Sequence, residues 1–493
     1  MRPSLCALLV WLVGGPGVVF AQGGYEVRAT TLGALPDQQI GEPVFSADGC
    51  HAAVVAQKGD RVCAWVDGRE GPEFDEIAEG TPMFSPDGSR VAYGARRGAK
   101  WLMVVDGRRG PQYDSIGVGS LTFSPDGARL AYAAQRGVRW LVVTDHQPGP
   151  EFDGISRIVF NRDGDRLAYG ADSGGQWLVV VDGAASRAYD SLHEASPMFS
   201  PDGTHIAYAA TKGPKRLVVL DGQEGPEFDQ MDGRSLVFSP DGGHLAYAAV
   251  SKEGKRSIVL DGREGPELDG IYDDSLVFSR DGTHLAYAAG RDGRKFAVVD
   301  GQEGPGFDEM GDLVLSPDGN RVAYSAKKDG LWRVVVDGKE GPEFDGVGDG
   351  SLTCGATGRV AYAAHRGEDW CVVTDGNAGP GCDGIADGSL MFSSDGTHVA
   401  YAAERSGKRF VVVDSIEQPG FDDIGTVVFS LTDAHLAYVA TRDTKWFIVL
   451  DGEEGPEFDG VVPSGPVFQP DGRLVYLAIR DGNVCRVQHS PRG

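Results

Sequence analysis

Histidine and aspartate are the residues here best suited to chemistry, and both recur at fixed places. His51, His205, His244, His284, His398 and His435 each stand immediately before an apolar run. Imidazoles in such numbers raise metal ligation or general-base catalysis. Six further copies of the same pattern carry Arg90, Arg129, Arg166, Arg321, Arg359 or Arg473 at that place. A metal ligand would not be exchanged for arginine, so the position calls for a long N–H donor beside a turn. The recurrent acid, as at Asp87, Asp126, Asp202 and Asp241, is followed by glycine and reads as a turn former. Calcium would need several carboxylates spaced within one loop, and no such spacing occurs.

Catalytic signatures are missing from the rest of the chain. There is no Gly-x-Ser-x-Gly elbow, no Cys-x-x-Cys and no zinc-ligand spacing. Acids are so widespread that no single pair stands out for glycoside chemistry. The sequence therefore implies no catalytic residue, no metal and no cofactor. Phe-Asp pairs such as Phe74-Asp75, Phe228-Asp229 and Phe458-Asp459 recur once per copy and read as anchors of a strand. Trp101, Trp140, Trp177, Trp332, Trp370 and Trp446 share one slot, which favours packing over carbohydrate stacking. Cys354, Cys371 and Cys382 crowd one copy and read as small buried apolar residues. An oxidising compartment would permit a disulfide there.

The elements that carry these residues form a repeat. Its apolar-run phenylalanine falls at Phe45, Phe84, Phe123, Phe160, Phe199, Phe238, Phe278, Phe392, Phe429 and Phe468, with Leu315 and Cys354 in the same slot. This makes twelve copies of 37 to 40 residues, a period typical of radial or stacked arrays. Within one copy, Leu236-Val237-Phe238, Leu245-Ala246-Tyr247 and Ser257 to Leu260 are apolar runs. Pro240-Asp241-Gly242, Lys252 to Lys255 and Asp261-Gly262 are turns, and Pro266 to Asp269 is a weak fourth strand. No copy has room for a helix. Four short antiparallel strands per copy predict an all-β propeller blade.

The hairpin Phe-Ser-Pro-Asp-Gly followed by Leu-Ala-Tyr, with a strand ending in Asp-Gly, resembles the WD40-like repeat of the periplasmic TolB-type β-propellers. The resemblance spans nearly the whole chain after its first residues. It implies a propeller fold and a binding or scaffolding role. The recurrent Glu-Gly-Pro-Glu-Phe-Asp segment, as at Glu70 to Asp75, departs from that family's pattern.

Residues 1–21 read as a signal peptide: Arg2, an apolar core from Leu5 to Val13, a Gly-Pro break, and small residues before a cleavage point near Ala21. That core is too short to span a bilayer, and no later segment is apolar enough. The expectation is a periplasmic or extracellular protein. A formal charge of −26 argues against nucleic acid as a partner.

Strand counting suggests two tandem six-bladed propellers, residues 22–262 and 263–493, with one larger ring as the alternative. Tyr25 to Leu32 reads as a strand of the third type. Pro36 to Ile40 then reads as a spare fourth strand, expected to complete the sixth blade. The last copy lacks a fourth strand, which Pro266 to Asp269 would supply.

Binding on a rigid repeat usually resides in the loops that vary. Here these are the loops entering the first strand, which share a face with basic loops between the second and third strands, including Arg97, Lys212, Arg291 and Arg366. The densest polar set is Asp232, Arg234, Tyr272, Asp273 and Asp274. One aromatic among mixed charges suits a protein or glycan partner. The leading expectation is an exported, non-enzymatic binding module. A polysaccharide hydrolase or lyase, and a subunit of an envelope assembly, are the alternatives.

Overall fold

The computed structural model describes residues 17–22, 24–193, 196–231, 235–272, 275–432 and 435–491. The chain is all-β: twelve antiparallel sheets follow one another, each a four-stranded propeller blade, and the described residues contain no helix. None therefore is long and apolar enough to cross a membrane. The chain packs as two compact units, one of Met1–Gly110 with Cys382–Gly493 and one of Pro111–Gly381.

Blade seven shows the pattern. Its first strand is in two pieces, Gly270–Ile271 and Val277–Phe278, and both pair with the second strand, Leu285–Arg291. The third strand is Arg294–Val299 and the fourth is only Gln302–Glu303. Asp300 and Gly301 at the last hairpin have φ of 48° and 76°, the two left-handed residues of a type I′ turn. The fourth strand expected at Pro266 to Asp269 is thus split in blade six: Arg263–Glu264 pairs first, and Leu268 adds a single bridge to Arg256.

Packing follows from the alternation in Leu-Ala-Tyr-Ala-Ala. Leu245, Tyr247 and Ala249 face the preceding blade and meet Ala207, Ala209 and Val218 there. Ala246 and Ala248 face the other way and receive Tyr287 and Leu285 of the next blade. Large residues on one face and alanines on the other let each tyrosine fill its neighbour's hollow. Tyr247 also meets Phe228 of the preceding blade edge-to-face, with centroids 6.3 Å apart.

The ends close on each other within the first unit. Tyr25–Ala34 pairs along its length with Asn483–Pro491, the third strand of blade twelve, and so supplies that blade's fourth strand. This corrects the strand count made from the sequence. Pro36 to Ile40 is not a fourth strand: Gln39–Phe45 is already the first strand of blade one. Nor does blade six borrow a strand, because the Asp261-Gly262 turn folds Arg263–Glu264 back onto its own sheet. The division at Gly262 loses the support of that exchange. Closure also explains one close glycine contact: a Cβ on Gly68 would lie 2.0 Å from the Leu32 carbonyl oxygen.

Two kinds of first strand account for the copy lengths. Gly154–Phe160, Glu309–Leu315 and Asp423–Phe429 are continuous, with a β-bulge, and end the 37-residue intervals. Gln39–Phe45 of blade one is continuous in the same way, whereas in most of the other blades a loop interrupts the strand and leaves a second-strand N–H without a ladder partner. A loop serine fills the gap: the N–H groups of Ala133, Ala209, Ala248, Ala288, Ala363 and Ala402 donate to Ser120, Ser196, Ser235, Ser275, Ser351 and Ser389.

We expect Ser120→Ala to destabilise the protein by about 1–2 kcal/mol in denaturant titration, because a buried N–H loses its acceptor. Exposed Ser89→Ala should cost far less. A second prediction concerns His489, which occupies the slot of the turn aspartate in blade twelve, is fully buried and lies 3.3 Å from the Tyr476 hydroxyl. Burial pushes its pKa down to about 4, below the ordinary 6.5. The unfolded chain therefore takes up a proton first. His489's contribution is complete above about pH 6.5 and is lost as pH falls toward 4, on the order of 3 kcal/mol in all. His489→Gln should flatten the loss of stability across that window, measured as the difference between the two pH profiles.

Candidate functional site

Of the residues singled out for binding, Tyr272 is described; Asp232, Arg234, Asp273 and Asp274 lie outside the described residues. The two loops are flanked by Met231 and Ser235 and by Tyr272 and Ser275. Each belongs to an interrupted first strand, in blades six and seven, which are neighbours within the second unit. Tyr272 N–H donates to the Ala288 carbonyl at 3.0 Å. Ser275 then donates to the Tyr272 carbonyl at 2.7 Å. Tyr272 and Ser275, the residues that bound the loop, are thereby tied to the second strand and to each other.

The Tyr272 ring leans over the second strand toward the third. Lys295 Nζ stands 5.1 Å from its centroid, a cation–π contact. The phenol lies over Gly290, where a Cβ would come 3.7 Å from the hydroxyl oxygen. Gly290 and Lys295 are cross-strand partners beside the second hairpin. The loop that carries Tyr272 thus interrupts the first strand, between Gly270–Ile271 and Val277–Phe278, rather than entering that strand as the sequence suggests, and the tyrosine ring reaches toward the second hairpin. Sequence reasoning missed both residues. The signal was present: Lys295 stands in the slot that holds tryptophan in six copies, and Gly290 replaces a larger residue such as Gln135 or Lys327.

Several of the basic loops are engaged rather than open. Lys212 pairs with Glu224 at 2.7 Å, Lys328 with Glu340 at 2.9 Å, and Arg405 and Arg442 each hold a glutamate through both guanidinium NH2 groups. Those glutamates open the Glu-Gly-Pro-Glu-Phe-Asp segment or its variants. Arg366 and Arg480 reach the preceding blade, donate to the Glu343 and Glu457 carbonyls, and lie 4.6 and 4.3 Å above Phe344 and Phe458. The closing aspartate of the segment reaches forward. Asp190, Asp345 and Asp459 accept hydrogen bonds of 2.6–2.8 Å from the hairpin N–H groups of Gly213, Gly367 and Asp481. Lysine contacts hold the carboxyls of Glu224 and Asp459 below their ordinary range.

The alternation of His and Arg is resolved in the same terms. His51 Nδ1 lies 2.6 Å from Asp67 Oδ2, and Arg90 Nε lies 3.1 Å from Asp106 Oδ2. Both residue types give one N–H to the aspartate of the I′ turn, whose other oxygen accepts from the next backbone N–H. The Asp67 hydrogen bond raises the His51 pKa. Buried serines hold the other turn, as where Ser124 donates to Asp126 at 2.5 Å. Trp140 and Trp446 lie against inter-blade cores, and Trp370 stacks on His365 with centroids 4.6 Å apart. Cys354, Cys371 and Cys382 are free thiols, and burial pushes Cys354 up to about 11. Among the described residues no group of three or more His, Cys, Asp or Glu is placed to hold a metal ion.

No protein-family model matches this chain, and no curated protein matches it. Solved structures similar to it include a eukaryotic initiation factor, at 13% identity and a TM-score of 0.36, covering 67% of this chain and 96% of that one. TolB from Acinetobacter baumannii is similar at 17% identity and a TM-score of 0.23, covering 52% of this chain and 77% of that one. The β-propeller domain of Myceliophteria thermophila Cps50 (Swd1) is similar at 17% identity and 0.26, covering 53% and 97%. The chain's own twelve sheets define it as a β-propeller repeat protein.

Proposed function

We propose that this chain is an exported, non-enzymatic binding module that takes a polar partner, a glycan or an exposed peptide, on the first-strand loops of blades six and seven. One observation carries the reading. The charged and aromatic residues that repeat from blade to blade are largely used within blades and between them, whereas Tyr272 departs from the repeat and stands at the edge of a loop beside Lys295. A tyrosine flanked by Lys295 offers a stacking face beside a cation, and Asp232, Arg234, Asp273 and Asp274 would add directed hydrogen bonds. Export rests on the apolar leader ending near Ala21.

The test is a glycan and peptide array read with the intact protein. Tyr272→Ala and Arg234→Ala should each weaken retention of a hit about tenfold, the equivalent of about 1.4 kcal/mol, with an unchanged unfolding midpoint. Arg97→Ala, on a repeated basic loop, should leave binding as it was. Equal effects from all three place the site elsewhere. Turnover of a polysaccharide that disappears in Asp274→Asn would replace this reading with the hydrolase or lyase.

A further inference from the structure

The fourth strand of blade twelve differs from those of the other blades. Nine of the others are two residues long, and the remaining two, Arg108–Tyr113 and Gln147–Phe152, contain proline. Short or proline-broken strands offer no regular edge for another chain to pair with. Tyr25–Ala34 is ten residues long and has no proline. Its outer edge is occupied from Tyr25 to Thr30 by Gly17–Gln22, antiparallel, with Gly17 opposite Thr30 and Gln22 opposite Tyr25. Beyond Thr31 a register shift and Gly33 make the strand irregular. The covering strand therefore matches the regular part of the edge and no more.

Gly17–Gln22 is also the segment that ends the leader. If the chain is cut near Ala21, as the export reading requires, that edge is uncovered. We propose that the matured edge strand pairs with the same strand of a second copy, antiparallel about Val27, to give a two-fold symmetric dimer. The side chains fit that pairing. Tyr25, Val27 and Ala29 point into the blade core, whereas Glu26 and Arg28 are exposed on the opposite face, 3.9 Å apart. Pairing about Val27 sets Glu26 of each copy opposite Arg28 of the other. Two cross-strand ion pairs form, and the alternation of the strand keeps all four charges on the solvent side. A sheet would then continue from one blade twelve into the other.

The inference rests on the export reading, and the experiment separates the two. The full chain is expressed with its leader in an exporting host, and the recovered protein is analysed by N-terminal mass and by light scattering. Cleavage near Ala21 with a molar mass that doubles as concentration rises is the expected result. Glu26→Lys and Arg28→Glu should each halve the mass at a fixed concentration, since like charges then face each other, and the combined variant should restore the dimer. A synthetic Gly17–Gln22 peptide should compete and return the protein to monomer. A cleaved protein that stays monomeric overturns the proposal, including one that binds the peptide, whose edge would then await a different chain. A dimer indifferent to both charge reversals also overturns it. If residues 17–22 are retained, the export reading fails instead, and the same light-scattering series on a chain begun at Gln22 decides the pairing.

Discussion

Neighbouring blades depend on a carboxylate that leaves one sheet to cap the hairpin of the next. Asp190, Asp345 and Asp459 each follow an aromatic that has just bridged to its own third strand, and each accepts from a backbone N–H one blade further on. A hydrogen bond from backbone to a charged acceptor is stronger than a neutral one. It also fixes spacing, since the aromatic and the acid are adjacent in sequence. The packing of tyrosines into alanine hollows is non-directional and would tolerate sliding. The carboxylate sets the register in which that packing occurs.

Charge has to be read in this light. A net −26 suggests a surface with carboxylates to spare. Many are committed: to serine and backbone in the first turn, to His or Arg in the I′ turn, and to Lys, Arg and a forward hairpin in the Glu-Gly-Pro-Glu-Phe-Asp segment. Exposed ion pairs contribute little singly, about 0–1 kcal/mol. Here they recur from blade to blade and some are backed by stacking, as with Arg442, which pairs with Glu454 and lies over Phe421. Arg333 is the outlier. It is buried in a third strand where Leu141 and Leu217 stand in other blades, and is held by Glu340 and Glu343. Burying the guanidinium while its glutamates stay partly exposed fixes geometry at a desolvation cost that an apolar residue would avoid.

Much of the architecture was legible because the blade is local. Period, turn chemistry and apolar alternation each act within a few residues, and all three point to the same four-stranded unit. The equivalence of His and Arg implied a donor at a turn, and the structure supplies the acceptor, Asp67 or Asp106. Closure was not legible in the same way. Which sheet Tyr25–Ala34 joins depends on a contact across more than four hundred residues, and Asn483–Pro491 carries no local mark of its partner. The site was legible only as variation. That Tyr272 would lie over Gly290 beside Lys295 needed the cross-strand register, which places residues from three strands together.

The serine that satisfies the second-strand N–H has a consequence for how such an array diversifies. In an interrupted first strand, the ladder is complete once the serine is in place, as Ser275 is for Ala288. In blade three the residues just before Ser120, Val118 and Gly119, stand outside the paired strand pieces, and Val118 is exposed. Continuous strands such as Glu309–Leu315 have less of this freedom, because only the two bulge residues, Gly311 and Asp312, fall between paired positions. The protein thus carries two grades of blade: closed ones that hold the frame, and open ones in which length and composition can drift, be selected, or be grafted one loop at a time while the sheet beneath stays the same.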